Sequence, residues 1–337
     1  MSKEYEPQTV QKLTTMAQQG LSKWGMGPKA TAKLINLSEN ATFMATDPDA
    51  NRQIVVRMQR SGYSSPDAIR SEMAFINSLI EYDVVDTAKP QLSVDGDYIV
   101  NLVFDDEHRQ AVAFERLPGK EPDLGQNDLC YWFEKLGAIT ARLHQHAKSW
   151  QPPKWFTRRR WDYEGIIGDT AFWGSWKDSQ GLDEEGKQVF AETLAKVKPL
   201  IMKFGTDPEH FGIIHGDMRA TNLLVDDDKL QVIDFDDMGF GYYMFDFGAA
   251  LSFMEQSPDI DKFARSWVKG YESVHKLSDE ERSMLPTFSI LRRIELCAWC
   301  ASHSEVPYAH ENGVQITLDT VKLCRKYLNG EYLSLED

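Results

Sequence analysis

Cysteine is scarce: Cys130, Cys297, Cys300 and Cys324 are the only four in 337 residues. They are too few and too scattered for a disulfide framework. Cys297 and Cys300 form a C-x-x-C pair inside the apolar, helix-prone run Leu291 to His303, with no second pair to complete a zinc site, so they read as core cysteines. Positive charge is also in deficit. A formal net charge of -15 repels nucleic-acid phosphates and leaves no nucleic-acid partner expected. No apolar stretch reaches membrane-spanning length, and none follows Met1-Ser2-Lys3-Glu4, so a cytoplasmic chain without a membrane partner is expected. Internal repeats and low-complexity tracts are absent as well.

What is present is enough apolar residue, 42%, to fill the cores of about two domains. One segment stands out. Ile213-Ile214-His215-Gly216-Asp217-Met218-Arg219-Ala220-Thr221-Asn222 is followed, after a short strand-turn-strand, by Val232-Ile233-Asp234-Phe235-Asp236-Asp237. Phosphoryl transfer to a hydroxyl needs a carboxylate on the acceptor side and oxygen ligands for the cations that neutralise the transferred group. Asp217 and Asn222, five apart, suit one tight loop serving both needs, and Asp234 ends an apolar strand where a metal-binding carboxylate belongs. The spaced letters H-G-D-x-x-x-x-N arise by chance in a chain this long on the order of once in a thousand.

On these motifs the sequence resembles the aminoglycoside phosphotransferase and choline kinase group of kinase-like enzymes. His215 to Asn222 matches the family's catalytic loop, Ile233-Asp234-Phe235 its metal motif, and Phe245-Asp246-Phe247-Gly248 a following D-x-A or D-x-G. The resemblance implies an α+β, bilobal protein-kinase-like fold: a small antiparallel-sheet N-lobe with one key helix, and a larger, mainly helical C-lobe. It implies Asp217 as catalytic base, Asn222 and Asp234 as Mg2+ ligands with Asp236 as a helper, and Asp246 as a buried brace for the loop.

The amino-terminal half carries the pattern such a fold requires. Ala41 to Thr46 and Gln53 to Met58 are β-prone runs separated by turn-rich Asp47 to Arg52, which predicts a hairpin. Arg57 occupies the position where kinases usually place a phosphate-gripping lysine. Ser65 is a candidate N-cap with Pro66 at the first helical position, and Ile69, Met73, Ile76 and Ile80 share one face of the helix that follows. Glu72 flanks that face within reach of Arg57. Leu37-Ser38-Glu39-Asn40-Ala41-Thr42-Phe43 replaces a glycine-rich loop, so phosphate coverage is assigned to Ser38, Asn40 and backbone amides. ATP is the expected nucleotide, and GTP is not separated from it.

Pro7 to Trp24 predicts an amphipathic helix packing on this half. Leu117 to Pro122 marks the expected boundary, giving a nucleotide-covering lobe over 1–117 and a catalytic, substrate-binding lobe over 118–337, in which a helix over Leu129 to His146 follows the linker. The acceptor is less legible. Trp155 to Trp161, with Arg158, Arg159 and Arg160, suits either an anionic ligand or a connector whose arginine stems cover apolar surface. Asp236, Asp237, Tyr242, Tyr243 and Glu255, joined by Glu295 and Trp299, suit either a wall for a cationic amine or simple packing. The expected function is ATP-dependent transfer of phosphate to a hydroxyl of a small molecule: an amino alcohol, amino acid, sugar or aminoglycoside-like compound. The alternatives are a bacterial serine/threonine protein kinase and an inactive nucleotide-binding scaffold.

Overall fold

The computed structural model describes residues 5–105, 107–123 and 129–336; Met1-Ser2-Lys3-Glu4 lie outside them. Contacts divide the chain into two units, Met1–Pro118 with Pro152–Thr157, and Gly119–Gln151 with Arg158–Asp337. The short return of Pro152–Thr157 to the first unit differs from a single boundary near 117. It is tied there by the Thr157 amide, which donates to Ser71 Oγ at 2.9 Å.

In the first unit, helix α1 (Pro7–Gly20) and a 3-10 turn (Leu21–Trp24) precede strands β1 (Thr31–Leu37), β2 (Ala41–Asp47) and β3 (Arg52–Met58). Helix α2 (Pro66–Glu81) follows, then β4 (Pro90–Gln91), β5 (Val100–Phe104) and β6 (Glu107–Glu115). The pairs β1 with β2, β2 with β3, and β3 with β6 are all antiparallel, with β4 and β5 also on β6. The β2–β3 turn is fixed by Asp47, whose carboxylate accepts from the amides of Gly27, Asp49 and Ala50. Leu13, Met16, Leu21 and Trp24 pack with Phe43, Val56 and Ala113 in one core. Each Leu, Met, Phe or Val side chain so removed from water contributes about 1.5–3 kcal/mol. Ser65 caps α2 by accepting from the Ala68 amide at 3.2 Å, and Ile69, Met73 and Ile76 are buried along it.

In the second unit, α3 (Leu129–Ser149), β7 (Arg160–Trp161), α4 (Tyr163–Ile167) and α5 (Glu184–Phe204) come first. Then come β8 (Phe211–Ile214), β9 (Leu223–Asp226), β10 (Lys229–Val232) and β11 (Gly239–Tyr242). The unit closes with helices α6 (Phe245–Ala250), α7 (Ile260–Glu272), α8 (Asp279–Ser302) and α9 (Pro307–Asn329). Two small sheets matter for function. β9 and β10 form a hairpin between the two sequence motifs, and β11 lies between β7 and β8. Helix α8 starts with a reciprocal cap, Ser278 and Glu281 each accepting from the other's backbone amide, and packs on α6 and α9. Among the described residues no helix is long and apolar enough to cross a membrane.

Candidate active site

The loop after β8 is held by one buried carboxylate. Asp246, at the start of α6, accepts from the His215 amide at 3.1 Å and the Gly216 amide at 2.8 Å. His144 Nε2 lies 2.9 Å from the same carboxylate, and His144 Nδ1 lies 3.0 Å from the Tyr271 hydroxyl. Gly216 adopts φ +82, and a Cβ there would meet the Asp237 carbonyl at 2.8 Å, so this turn accepts only glycine. The His215 ring joins the two motifs. Its Nδ1 accepts from the Asp217 amide at 3.3 Å, which leaves Nε2 to donate to the Ile233 carbonyl at 3.2 Å.

Asp217 is therefore presented on a rigid loop, and its side chain is fixed too. Oδ2 accepts from Asn222 Nδ2 at 2.8 Å and from Arg219 Nε at 3.0 Å, while Oδ1 accepts from Arg292 Nη2 at 2.6 Å. Burial works to raise its pKa, but the charges of Arg219 and Arg292 outweigh it and hold the carboxyl below the usual range. Asp217 is thus a fixed carboxylate held toward its ionised form.

Asn222 Nδ2 also donates to the Asp217 carbonyl at 2.7 Å. With its nitrogen committed, the side-chain oxygen is the end left for a cation. The Ile233 amide donates to the Asn222 carbonyl at 2.9 Å, tying the residue before Asp234 to Asn222. Asp234 is exposed and left-handed, φ 64 and ψ 67, a conformation that turns the chain out of β10. Asp236 follows in a 3-10 turn, buried, with its carbonyl accepting from Arg158 Nη2. Among the described residues no three His, Cys, Asp or Glu side chains gather as a metal cage. An amide oxygen and a carboxylate suit Mg2+, which usually takes one or two protein oxygens and fills its shell with water and substrate phosphates.

In the first unit, Arg57 on β3 donates from Nη2 to Glu72 Oε2 on α2 at 2.6 Å, with both residues buried. The Gln59 carboxamide, oriented as its neighbours require, accepts from Arg57 Nε and Nη2 at 3.1 Å and donates to Asn40 Oδ1 at 3.0 Å. Asn40 also accepts from the Arg60 amide at 3.2 Å. Its side chain thus ties the β1–β2 turn to the end of β3. Ser38 sits in the same turn, its amide donating to the Asn40 carbonyl at 3.0 Å.

Other expectations resolve differently. Arg158 and Arg159 pin the metal-motif turn: Arg158 Nε donates to the Met238 carbonyl at 2.7 Å, and Arg159 Nη1 to Asp237 Oδ1 at 2.7 Å. Tyr242 and Tyr243 are buried, Tyr242 against Phe211 and Phe288, Tyr243 against His144. They pack rather than face an acceptor. Cys297 and Cys300 are buried on α8, and burial pushes the Cys300 thiol up to about 12. Arg292 was not foreseen, although charged Arg292, Arg293 and Glu295 inside an apolar helix were the available signal.

Fold and site together define a kinase-like phosphotransferase. Residues 31–284 match the phosphotransferase enzyme family, and the chain belongs to it. It is 36% identical to a microcompartment-associated aminopropanol kinase of known structure, covering 96% of this chain and 99% of that one, with a TM-score of 0.87. Amicoumacin kinase of Bacillus subtilis (strain 168) is 22% identical over 256 residues, 72% of each chain. An amicoumacin kinase solved with AMP-PNP and Ca2+ shares the fold at a TM-score of 0.73 and 18% identity, covering 96% of each chain. The protein is a phosphotransferase that moves phosphate from ATP to a hydroxyl of a small molecule.

Proposed function

We propose that the acceptor is a short amino alcohol and that the reaction uses ATP with Mg2+. The observation that carries this is the pinned, ionised Asp217 carboxylate in a chain whose likeness to an aminopropanol kinase runs nearly end to end. Asp217 orients the acceptor hydroxyl and takes its proton as the phosphoryl group departs from ATP. Asn222 and Asp234 hold the cation, with Asp236 as a helper. Bound Mg2+ supplies neutralisation of phosphate charge. Arg57, fixed by Glu72, grips the phosphates that are not transferred, and the Ser38–Asn40 turn covers them, Asn40 acting through Gln59 on Arg57. The net charge of -15 favours approach of a cationic acceptor.

The test is incubation of the purified protein with ATP, Mg2+ and aminopropanol, read by phosphorus NMR. A new phosphomonoester signal, absent with propanol lacking the amine, supports the assignment. A phosphoester on sugars or amino acids but not on amino alcohols would overturn the substrate class, and phosphate incorporated only into protein would favour a protein kinase.

A further inference from the structure

We infer that Arg292 is a positioning residue for the transfer, locking the rotation of the Asp217 carboxylate, and that Glu295 holds Arg292 to that task. This rests on Asp217 acting in phosphoryl transfer as proposed above. The carboxylate of an aspartate, carried on a single methylene, turns about a broad, twofold torsion, so its direction must be set by its partners. Arg219 is a weak candidate for that duty, its side chain being 30% exposed. The Arg292 side chain is 1% exposed and is specified on every edge. Nη2 donates to Asp217 Oδ1 at 2.6 Å, Nη1 to Glu295 Oε2 at 3.0 Å and Nε to Ser252 Oγ at 3.4 Å. Its faces meet the Trp173 ring at 4.9 Å and the Phe245 ring at 5.5 Å.

The two oxygens of Asp217 are therefore held by different elements, Oδ2 by Asn222 of its own loop and Oδ1 by α8. That arrangement fixes the carboxylate plane, which a bond to one oxygen alone would leave free. Glu295 lies one helical turn beyond Arg292, and its own side chain is wholly buried. Its second oxygen, Oε1, has no hydrogen-bond partner among the described residues. The planar fork of arginine spans two carboxylates at once, which a lysine ammonium cannot reproduce.

The experiment compares steady-state transfer to aminopropanol by the wild type, Arg292→Met, Arg292→Lys, Glu295→Leu and the Arg292→Met/Glu295→Leu pair. Arg292→Met is expected to lower kcat on the order of 10²-fold, the loss associated with misplacing a reacting group by about 1 Å. KM for ATP should stay within about twofold, since ground-state nucleotide binding is untouched. Arg292→Lys should recover part of the loss. Glu295→Leu should lower kcat with KM unchanged, and the paired variant should be no slower than Arg292→Met, because the two residues act as one unit. Should Arg292→Met fail to fold, the paired variant, which removes both buried charges, carries the comparison. A folded variant lacking Arg292 that keeps wild-type kcat overturns the positioning role while the kinase assignment stands. A wild type that transfers phosphate to no hydroxyl overturns both.

Discussion

Arg57 Nη2 and Glu72 Oε2 meet at 2.6 Å with their side chains 5% and 0% exposed, and the other carboxylate oxygen, Oε1, has no hydrogen-bond partner among the described residues. A charge pair so deeply buried depends on both members, since removing one strands the other without water. Loss of one partner of such a pair costs about 3–5 kcal/mol. Glu72→Ala should therefore lower the unfolding free energy measured in urea by an amount in that range, besides weakening ATP binding. Arg57→Lys keeps the charge but loses the donors that reach Gln59, so it should raise KM for ATP with a smaller loss of stability. Equal stability of Glu72→Ala and wild type in urea would contradict the pairing.

Asp217 is the residue whose conservative change should separate chemistry from binding. Asp217→Asn preserves shape and loses the ability to take a proton, and its amide nitrogen turns a donor toward one of the two arginines, Arg292 at Oδ1 or Arg219 at Oδ2. Turnover should fall by about 10² to 10⁴, the range for losing a positioned general base. ATP affinity, measured by calorimetry, should be nearly unchanged. A fully active Asp217→Asn enzyme would remove the role assigned to this side chain.

Asp234 should behave in the opposite way. Asp234 is exposed and follows Ile233, whose amide donates to the Asn222 carbonyl, and its carboxylate is the proposed charged member of the two-oxygen donor set. Asp234→Asn should raise the Mg2+ concentration needed for half-maximal activity by about tenfold or more, as expected when a site loses a charged oxygen ligand. Excess Mg2+ should restore part of the rate. A Mg2+ titration superimposable on the wild type would rule Asp234 out as a ligand.

The loop from His215 to Asn222, the hairpin of β2 and β3, the capped helix α2 and the proximity of Arg57 to Glu72 were legible because each is written in local spacing. Ser65-Pro66 opens a helix, the turn residues Asp47 to Arg52 join two strands, and five residues separate Asp217 from Asn222. Arg292 was not legible in the same way. It lies 75 residues beyond Asp217, and the contact exists only because α8 packs on α6, whose own Asp246 grips the catalytic loop. Between the two readings of Tyr242 and Tyr243, local spacing did not choose, for a related reason. Their position just beyond the metal motif suits an acceptor wall, but β11 pairs with β8 and buries both rings.

Glu295 should make stability depend on pH in a window where few carboxylates titrate. Burial raises its pKa and outweighs the opposing charge and hydrogen bond of Arg292, with Asp217 adding to the rise and Arg159 opposing it, so the carboxyl is pushed up to about 7 from 4.5. The folded state thus binds this proton more tightly than the unfolded chain. The stability from this group is fully present below 4.5 and is lost as pH rises toward about 7. Asp217, lowered from 3.8, has the opposite sign, but it acts below the window that Glu295 occupies. Glu295→Gln removes the titration while keeping an oxygen to accept from Arg292. The difference in unfolding free energy, wild type minus Glu295→Gln, should therefore fall between pH 4.5 and about 7, by at most about 1.4 kcal/mol per pH unit for one proton, and be flat above it. Urea unfolding at half-unit pH steps would measure it. A difference that stays constant across the window would mean that Glu295 is ionised throughout, with Arg292 sharing its charge between two carboxylates at every pH.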